Sequence, residues 1–302
     1  MKQPILLSGE GKLLSSTAAC LLRAGHDVYV ICDGAEQARN TIVHHLSKSA
    51  DLLPGNVKAG TLFFDESIGS RKFSLAIVIT ADDLNQKREV VQHADQHLEK
   101  DGILAVNLYA TELQEVRPSA SSPARVIGLN WTEPAHTTFF LEIIADSQTD
   151  PAVTDRLLAL GKDWGKDPHI ARSGFSVRAR LEAALTREAL FLVANEYATF
   201  EDIDRNCRND AGYYLPFVGN GRYMDLMGTS AYGVVMKDLN RHLSKATELD
   251  EKTASLLSDQ KLGMDAGEGF FSYSEKETAS WKEKAESFSY KIHELISKYP
   301  SE

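Results

Sequence analysis

Long hydrophobic runs are missing from this 302-residue sequence: no uninterrupted apolar stretch approaches the roughly 18 residues that a membrane span requires. The opening MKQPILLSGEGK also lacks the basic-then-apolar order of a secretion signal, so a cytoplasmic protein is expected. Cysteine is scarce. Cys20, Cys32 and Cys207 are odd in number and show no CxxC spacing, which excludes a disulfide framework and a thiolate zinc site and predicts three buried thiols. Positive charge is short as well: Lys and Arg total 33 against 43 Asp and Glu, a net charge of −10, with no basic cluster to bind nucleic acid. There is no internal repeat, low-complexity tract or long linker. What remains, 43% hydrophobic and 25% charged residues, describes a globular chain long enough for two domains and leaves a small-molecule enzyme as the leading class.

Ile5-Leu6-Leu7 followed by Ser8-Gly9-Glu10-Gly11 reads as a buried strand that breaks at glycines and feeds a helix, with Leu14, Ala18, Leu21 and Leu22 on one face and Gly25 as the stop. A second strand, Val28 to Cys32, ends at Asp33. That order is the plan of a dinucleotide-binding βαβ unit. Alternation continues with a helix over 35–46, strands near 62–64 and 75–79, a helix over 84–98 and a strand over 103–106, which predicts a parallel sheet. Apolar stretches at 125–129 and 138–144 extend it. From Gly174 the pattern is helical, with Val177, Leu181, Leu185 and Leu192 on one apolar face and later helices over 232–243, 250–259 and 275–298. The expected division is 1–173 and 174–302.

Gly9-Glu10-Gly11-Lys12-Leu13-Leu14 keeps the first two glycines of GxGxxG and replaces the third, so Leu14 is expected to push the helix outward or crowd a cofactor. Asp33 can accept ribose hydroxyl hydrogen bonds from NAD and would repel a 2′-phosphate. These features predict weak NAD binding through Gly9, Gly11, Lys12, Leu13 and Asp33. The nine histidines mostly fall beside charged residues on helices or loops, which predicts solvated surface positions. His93 and His97 have the i,i+4 spacing of a metal pair but no evident third ligand, so no metal is expected.

Several stretches resemble the L-3-hydroxyacyl-CoA dehydrogenase family. Gly128-Leu129-Asn130-Trp131-Thr132-Glu133-Pro134 followed by Phe139-Phe140-Leu141-Glu142-Ile143-Ile144 is similar to its G-L-H-F-F-N-P…L-V-E-V-I. Asp82-Asp83-Leu84-Asn85-Gln86-Lys87 resembles E-[ND]-L-x-x-K at the cofactor edge, which adds Asp82 and Lys87 to the expected cofactor residues. Gly174-Phe175-Ser176-Val177-Arg178 resembles G-F-I-V-N, Glu201-Asp202-Ile203-Asp204 resembles E-D-I-D, and the segment 267–273 resembles G-E-G-F-Y-x-Y. The resemblance implies an α/β fold: a Rossmann-like doubly wound sheet followed by an all-α domain that commonly dimerises. It also implies NAD-dependent oxidation of a 3-hydroxyacyl-CoA or related hydroxy acid, a small-molecule substrate with no nucleic acid or membrane partner.

The departures fall on the expected chemistry. By the resemblance, a histidine at the position of Asn130 takes the substrate proton and the glutamate at Glu142 orients it, while a serine aligns with Tyr109 and an asparagine with Arg178. Asparagine accepts no proton near neutral pH, and losing a general base removes about 10²–10⁴ in rate. Two readings follow for Asn130, Glu142, Tyr109 and Arg178. Either the site is rebuilt, with Arg178 holding the Tyr109 phenolate or a substrate carboxylate and Asn130 giving the substrate oxygen a neutral hydrogen bond, or Tyr109 fills an idle pocket and Arg178 pairs with Glu142. In the second case the chain is an inactive family member that binds a nucleotide, an acyl-CoA or a protein partner. His136 lies too far along an extended strand from Glu142 to replace the lost base, and is expected to be structural or on the surface.

Overall fold

The computed structural model describes residues 2–52 and 59–299. Its backbone divides into two compact units, Met1–Ala179 and Arg180–Glu302.

The first unit is a Rossmann-like sheet with helices. In chain order it contains β1 (Ile5–Gly9), α1 (Gly11–Arg23), β2 (Val28–Ile31), α2 (Ala35–Leu52), β3 (Leu62–Phe64), β4 (Phe73–Ile79), α3 (Leu84–Asp95) and β5 (Leu98–Val106). A short α4 (Leu113–Val116), β6 (Val126–Asn130), β7 (Phe140–Ile144), α5 (Pro151–Asp163) and β8 (Asp167–Ala171) complete it. The eight strands lie in the order β3-β2-β1-β4-β5-β6-β7-β8. The first six are parallel; β7 runs antiparallel to β6, and β8 follows the direction of β7. Order reverses between β1 and β4, which places the ligand crevice of such sheets at the ends of those two strands.

Alternation along the strands sends side chains to opposite faces. Ile5 and Leu7 of β1 join Ile77 of β4 and Leu14, Ala18 and Leu21 of α1 in one core layer, while Leu6, Ala76 and Val78 join Val91 of α3 in the other. The buried stretches of the central strands are therefore mostly apolar, as sheets covered on both faces require.

Two elements go beyond the sequence reading. The segment between Ile144 and Gly174, given no element there, forms α5 and β8. Asp150 caps α5 by accepting from the Ala152 N–H at 2.9 Å, and Pro151 supplies the first helical residue. β8 is an edge strand containing Pro168, mostly accessible, and has no hydrophobic alternation to betray it.

The division between the units falls inside α6 (Val177–Ala194). Beyond it come α7 (Phe200–Asn206), a π turn over Cys207–Ala211, α8 (Gly212–Met227), α9 (Thr229–Leu239), α10 (Glu251–Ser258) and α11 (Glu275–Ser297). The apolar face expected on α6 is not a core face here, since Leu181 is 69% and Leu185 61% accessible. Two surface expectations also need correction. Only Cys20 is a buried thiol, Cys32 and Cys207 being half-buried, and His26 is buried rather than solvated; His136 is buried, the structural one of its two expected settings. No described helix is long and apolar enough to cross a membrane.

Candidate active site

At the end of β1 the chain turns sharply into α1. Gly9 has φ +136°, and a Cβ there would lie 1.8 Å from the Ile79 carbonyl oxygen of β4. Gly11 has φ +85°, but a Cβ built on it would meet nothing within 4 Å. The first glycine is thus demanded by the fold, and the second leaves open space at the amino end of α1, where unpaired N–H groups and the helix dipole favour a phosphate. Glu10 turns aside to accept from Gln86 Nε2 at 2.7 Å. Lys12 is exposed and Leu13 half-buried in the first turn of α1. Leu14 is 1% accessible, packed into the core while closing part of the cleft that Gly11, Lys12 and Asp33 line. Asp33, exposed just past β2, also borders a neighbouring cleft of about 300 Å³ with Gly9 and Thr80. This donor set fits a dinucleotide: Gly9 and Gly11 for the pyrophosphate, Asp33 for the ribose.

Asp82 and Lys87 hold the segments that follow β4 and β5. Asp82 accepts from the N–H groups of Ala110 at 2.6 Å and Thr111 at 3.2 Å and from the Thr111 hydroxyl at 3.0 Å, fixing the loop after β5. Burial pushes its carboxyl up, but these donors outweigh it and hold it below its ordinary range. Lys87 is fully buried, its Nζ donating to Thr80 Oγ1 at 3.0 Å, Asn107 O at 2.8 Å and Asn107 Oδ1 at 3.1 Å. Burial lowers its pKa to about 8, against the attraction of Asp82. With all three donors spent inside the protein, Lys87 ties the ends of β4 and β5 together rather than reaching into the cleft.

Glu142, 0% accessible, is the hub of the second cluster. Oε2 accepts from Asn130 Nδ2 at 2.9 Å and Ser176 Oγ at 2.6 Å; Oε1 accepts from the backbone N–H groups of Val177 at 2.8 Å and Arg178 at 3.1 Å. Those two N–H groups open α6, so a carboxylate sits at a helix amino end that Ser176 also caps through the Ala179 N–H at 3.0 Å. His169 Nε2 stands 3.7 Å from Oε1. Burial works against ionisation, but His169, Ser176, the Arg178 N–H and Asn130 together bring the pKa down to about 2.

Asn130 is 5% accessible, and its remaining groups bracket Leu108: Oδ1 accepts from the Leu108 N–H at 2.7 Å and Nδ2 donates to the Leu108 carbonyl at 2.6 Å. Both amide hydrogens are therefore used within the protein, which corrects the expectation that Asn130 hydrogen-bonds a substrate oxygen. Arg178 contacts more than the Glu142 carboxylate. Its backbone meets the carboxylate, while Nη1 donates to the Trp131 carbonyl at 3.1 Å and Cζ lies 5.6 Å from the centre of the Phe140 ring. Tyr109, 47% accessible, follows the residue that Asn130 clamps, and its N–H approaches Asp82 Oδ1 at 3.4 Å.

Sequence reasoning passed over Ser176, His169 and Phe140. Ser176 was legible as a cap immediately before a helix. His169 was not, because it enters only through the β7–β8 register. His136 is buried and its ring lies 4.3 Å from that of His45; burial, then His45, Lys166, Arg23 and His44, lower its pKa to about 3. It belongs to the packing. No group of three or more metal-ligating side chains occurs among the described residues.

Residues 5–173 match the family model for the NAD-binding domain of 3-hydroxyacyl-CoA dehydrogenase, and residues 174–273 that for its C-terminal domain. The chain belongs to the 3-hydroxyacyl-CoA dehydrogenase family. It is 27% identical over 288 residues to 5-formyl-3-hydroxy-2-methylpyridine 4-carboxylate 5-dehydrogenase of Mesorhizobium japonicum, covering 92% of this chain and 93% of that one. To the fatty acid oxidation complex subunit alpha of a Shewanella species it is 25% identical, over 72% of this chain but only 30% of that protein. Among solved structures it shares the fold of an NAD⁺-dependent dismutase, the same pyridine carboxylate 5-dehydrogenase, with a TM-score of 0.91 at 24% identity over 99% of this chain and 100% of that one. (S)-3-hydroxybutyryl-CoA dehydrogenase from Ralstonia eutropha aligns with a TM-score of 0.71 at 20% identity, over 91% and 100%. The protein is thus of an NAD-dependent dehydrogenase family.

Proposed function

We propose that the protein is an NAD-dependent dehydrogenase of a small carboxylate-bearing alcohol or aldehyde rather than of an acyl-CoA. The observation that carries this reading is Arg178, whose guanidinium lies beside an aromatic ring at the end of β6 and β7, where the family motif quoted above has a neutral asparagine. A guanidinium matches a carboxylate bidentately, and the ring offers a flat substrate a stacking surface. The relative named for a pyridine carboxylate, alike over nearly its whole length, supports the same class. Bound NAD supplies the hydride acceptor. Gly11 leaves room for its pyrophosphate, and Asp33 favours it over NADP.

The test is NADH formation from 5-formyl-3-hydroxy-2-methylpyridine 4-carboxylate and, separately, from 3-hydroxybutyryl-CoA. Turnover of the first is expected, and Arg178→Gln should raise its KM by about 10–100-fold, the worth of a charge-assisted hydrogen bond. Preference for the acyl-CoA would overturn the substrate class, and binding without turnover of either would favour the inactive reading.

A homodimer formed through the helical unit is part of this reading. Among the described residues from 180 onward, Tyr290 is the only buried hydrophobic side chain, whereas Leu181, Leu185, Tyr213, Leu226 and Phe288 are all more than 60% accessible. A helical unit with so little enclosed apolar surface gains its stability by covering that surface with a second copy. Sedimentation at micromolar concentration should give twice the 33.3 kDa chain mass; a monomer would reject the dimer.

A further inference from the structure

Asn130, Glu142 and His169 occupy one rung of the sheet on three adjacent strands: Asn130 of β6 is in register with Glu142 of β7, and Glu142 with His169 of β8. Partners in register project from the same face, with about 4.8 Å between strands. Glu142 is the middle member. Its Oε2 is occupied on the β6 side by an amide that exchanges no proton near neutral pH, whereas its Oε1 stands 3.7 Å from an imidazole on the β8 side. Four donors between 2.6 and 3.1 Å already fill the carboxylate, so His169 is not needed to satisfy it. The His169 side chain is 49% accessible while its partner is 0% accessible. An imidazole beside a buried carboxylate, with an accessible edge of its own, has the placement that a general base needs.

The aromatic ring of Phe140 links this pair to Arg178. His169 meets that ring edge-on, with centroids 5.5 Å apart and planes at 66°, and the Arg178 guanidinium lies 5.6 Å from the same centroid. An imidazole and a guanidinium therefore both lie against one aromatic ring. The other charged groups near His169 are Glu142 on β7 and Asp167, two residues earlier on β8.

We propose that His169, oriented by Glu142, takes the substrate's proton, so that the acid–base pair lies on the β8 side of Glu142 instead of at Asn130. The substrate is a flat aromatic carboxylate lying on Phe140, its carboxylate at Arg178 and its reacting oxygen at His169; this rests on the substrate class proposed above. With Nε2–H directed at Glu142 Oε1, Nδ1 receives the O–H proton of the alcohol. The C–H bond breaks, its electron pair and hydrogen leave as hydride to the nicotinamide of NAD, and the carbonyl forms. An aldehyde enters as its hydrate, formed with one water, and the same transfer yields the carboxylic acid. The imidazolium, held opposite Glu142, returns its proton to solvent through its accessible edge.

The experiment follows NADH formation from 5-formyl-3-hydroxy-2-methylpyridine 4-carboxylate in the full-length protein, in His169→Ala and in His169→Gln, with folding checked by circular dichroism. Both variants should lose about 10²–10⁴ in kcat with little change in KM, and imidazole added to His169→Ala should restore rate in proportion to its concentration. A purely structural histidine would show no such rescue. A kcat within about threefold of the parent in either folded variant, or a loss that imidazole does not restore, overturns the proposal. A second measurement needs no variant: without NAD, saturation with the same compound should shift the His169 ring resonances of the isotopically labelled parent, and stationary resonances at saturation overturn it too. If the parent neither binds nor turns over the compound, the substrate reading and this proposal fall together; turnover by the parent that survives in His169→Ala overturns this proposal alone.

Discussion

Gly9→Ala is expected to prevent folding, whereas Gly11→Ala should leave the protein folded and weaken its binding of NAD. Both glycines belong to the same turn and both hold positive φ, +136° and +85°. The difference lies in what surrounds them. At Gly9 a methyl group would stand 1.8 Å from Ile79 O and 2.6 Å from Ile79 C, which are backbone atoms of a central strand that cannot move aside without parting β1 from β4. Strain at the residue adds about 1–3 kcal/mol, and the clash brings the total beyond about 4 kcal/mol, a large fraction of the roughly 5–15 kcal/mol that holds a domain together. At Gly11 the methyl group meets no protein atom within 4 Å, so only the conformational cost of about 1–2 kcal/mol remains, and the methyl occupies the space where a pyrophosphate approaches. Urea unfolding of both variants with NADH titration of the folded one checks this; a Gly9→Ala protein as stable as the parent would refute the close-approach argument.

Acidification should begin to destabilise the protein from about pH 6.5 downward, before its exposed carboxylates protonate. Two buried groups dominate, and both signs agree. His136 titrates at about 3 in the folded chain against 6.5 in the open chain, chiefly because burial excludes its charged form, so from pH 6.5 downward the unfolded chain binds a proton that the folded chain refuses. At 1.36 kcal/mol per unit this removes about 4–5 kcal/mol by pH 3. Glu142 is lowered from 4.5 to about 2, so the stability it contributes above pH 4.5 is lost as pH falls through about 2, up to about 3 kcal/mol. His26, also lowered by burial, acts in the same direction, while Asp65 and Glu133, raised by desolvation, oppose it. Urea midpoints should fall steadily between pH 6.5 and 4, and His136→Gln should flatten that decline relative to the parent. A midpoint independent of pH in this window would contradict it.

The architecture of the first unit was legible from residues 1 to 144, because parallel strands buried on both faces are apolar runs and the helices between them carry the 3.6-residue pattern. Ile5 to Gly9, Val28 to Ile31 and Asp33 declare a dinucleotide turn without any coordinates. The same reading failed on β8, where Asp167-Pro168-His169-Ile170-Ala171 is polar and mostly accessible: an edge strand is held by hydrogen bonds from one neighbour rather than by burial, and so leaves no hydrophobic period. It also missed α5, whose Asp150-Pro151 start was available to be read.

For the site, sequence alone determined that Glu142 remains while its expected histidine partner does not, and that a cation stands at position 178. It could not determine what those residues touch. That Asn130 spends its amide on Leu108 and Glu142, that Lys87 spends its ammonium on Thr80 and Asn107, and that Arg178 reaches the Trp131 carbonyl are consequences of three-dimensional hydrogen bonding. Only the tertiary structure decided that His169 meets Glu142, because residues far apart in the chain become neighbours through strand register, and register is set by how whole strands bury their faces rather than by any local motif.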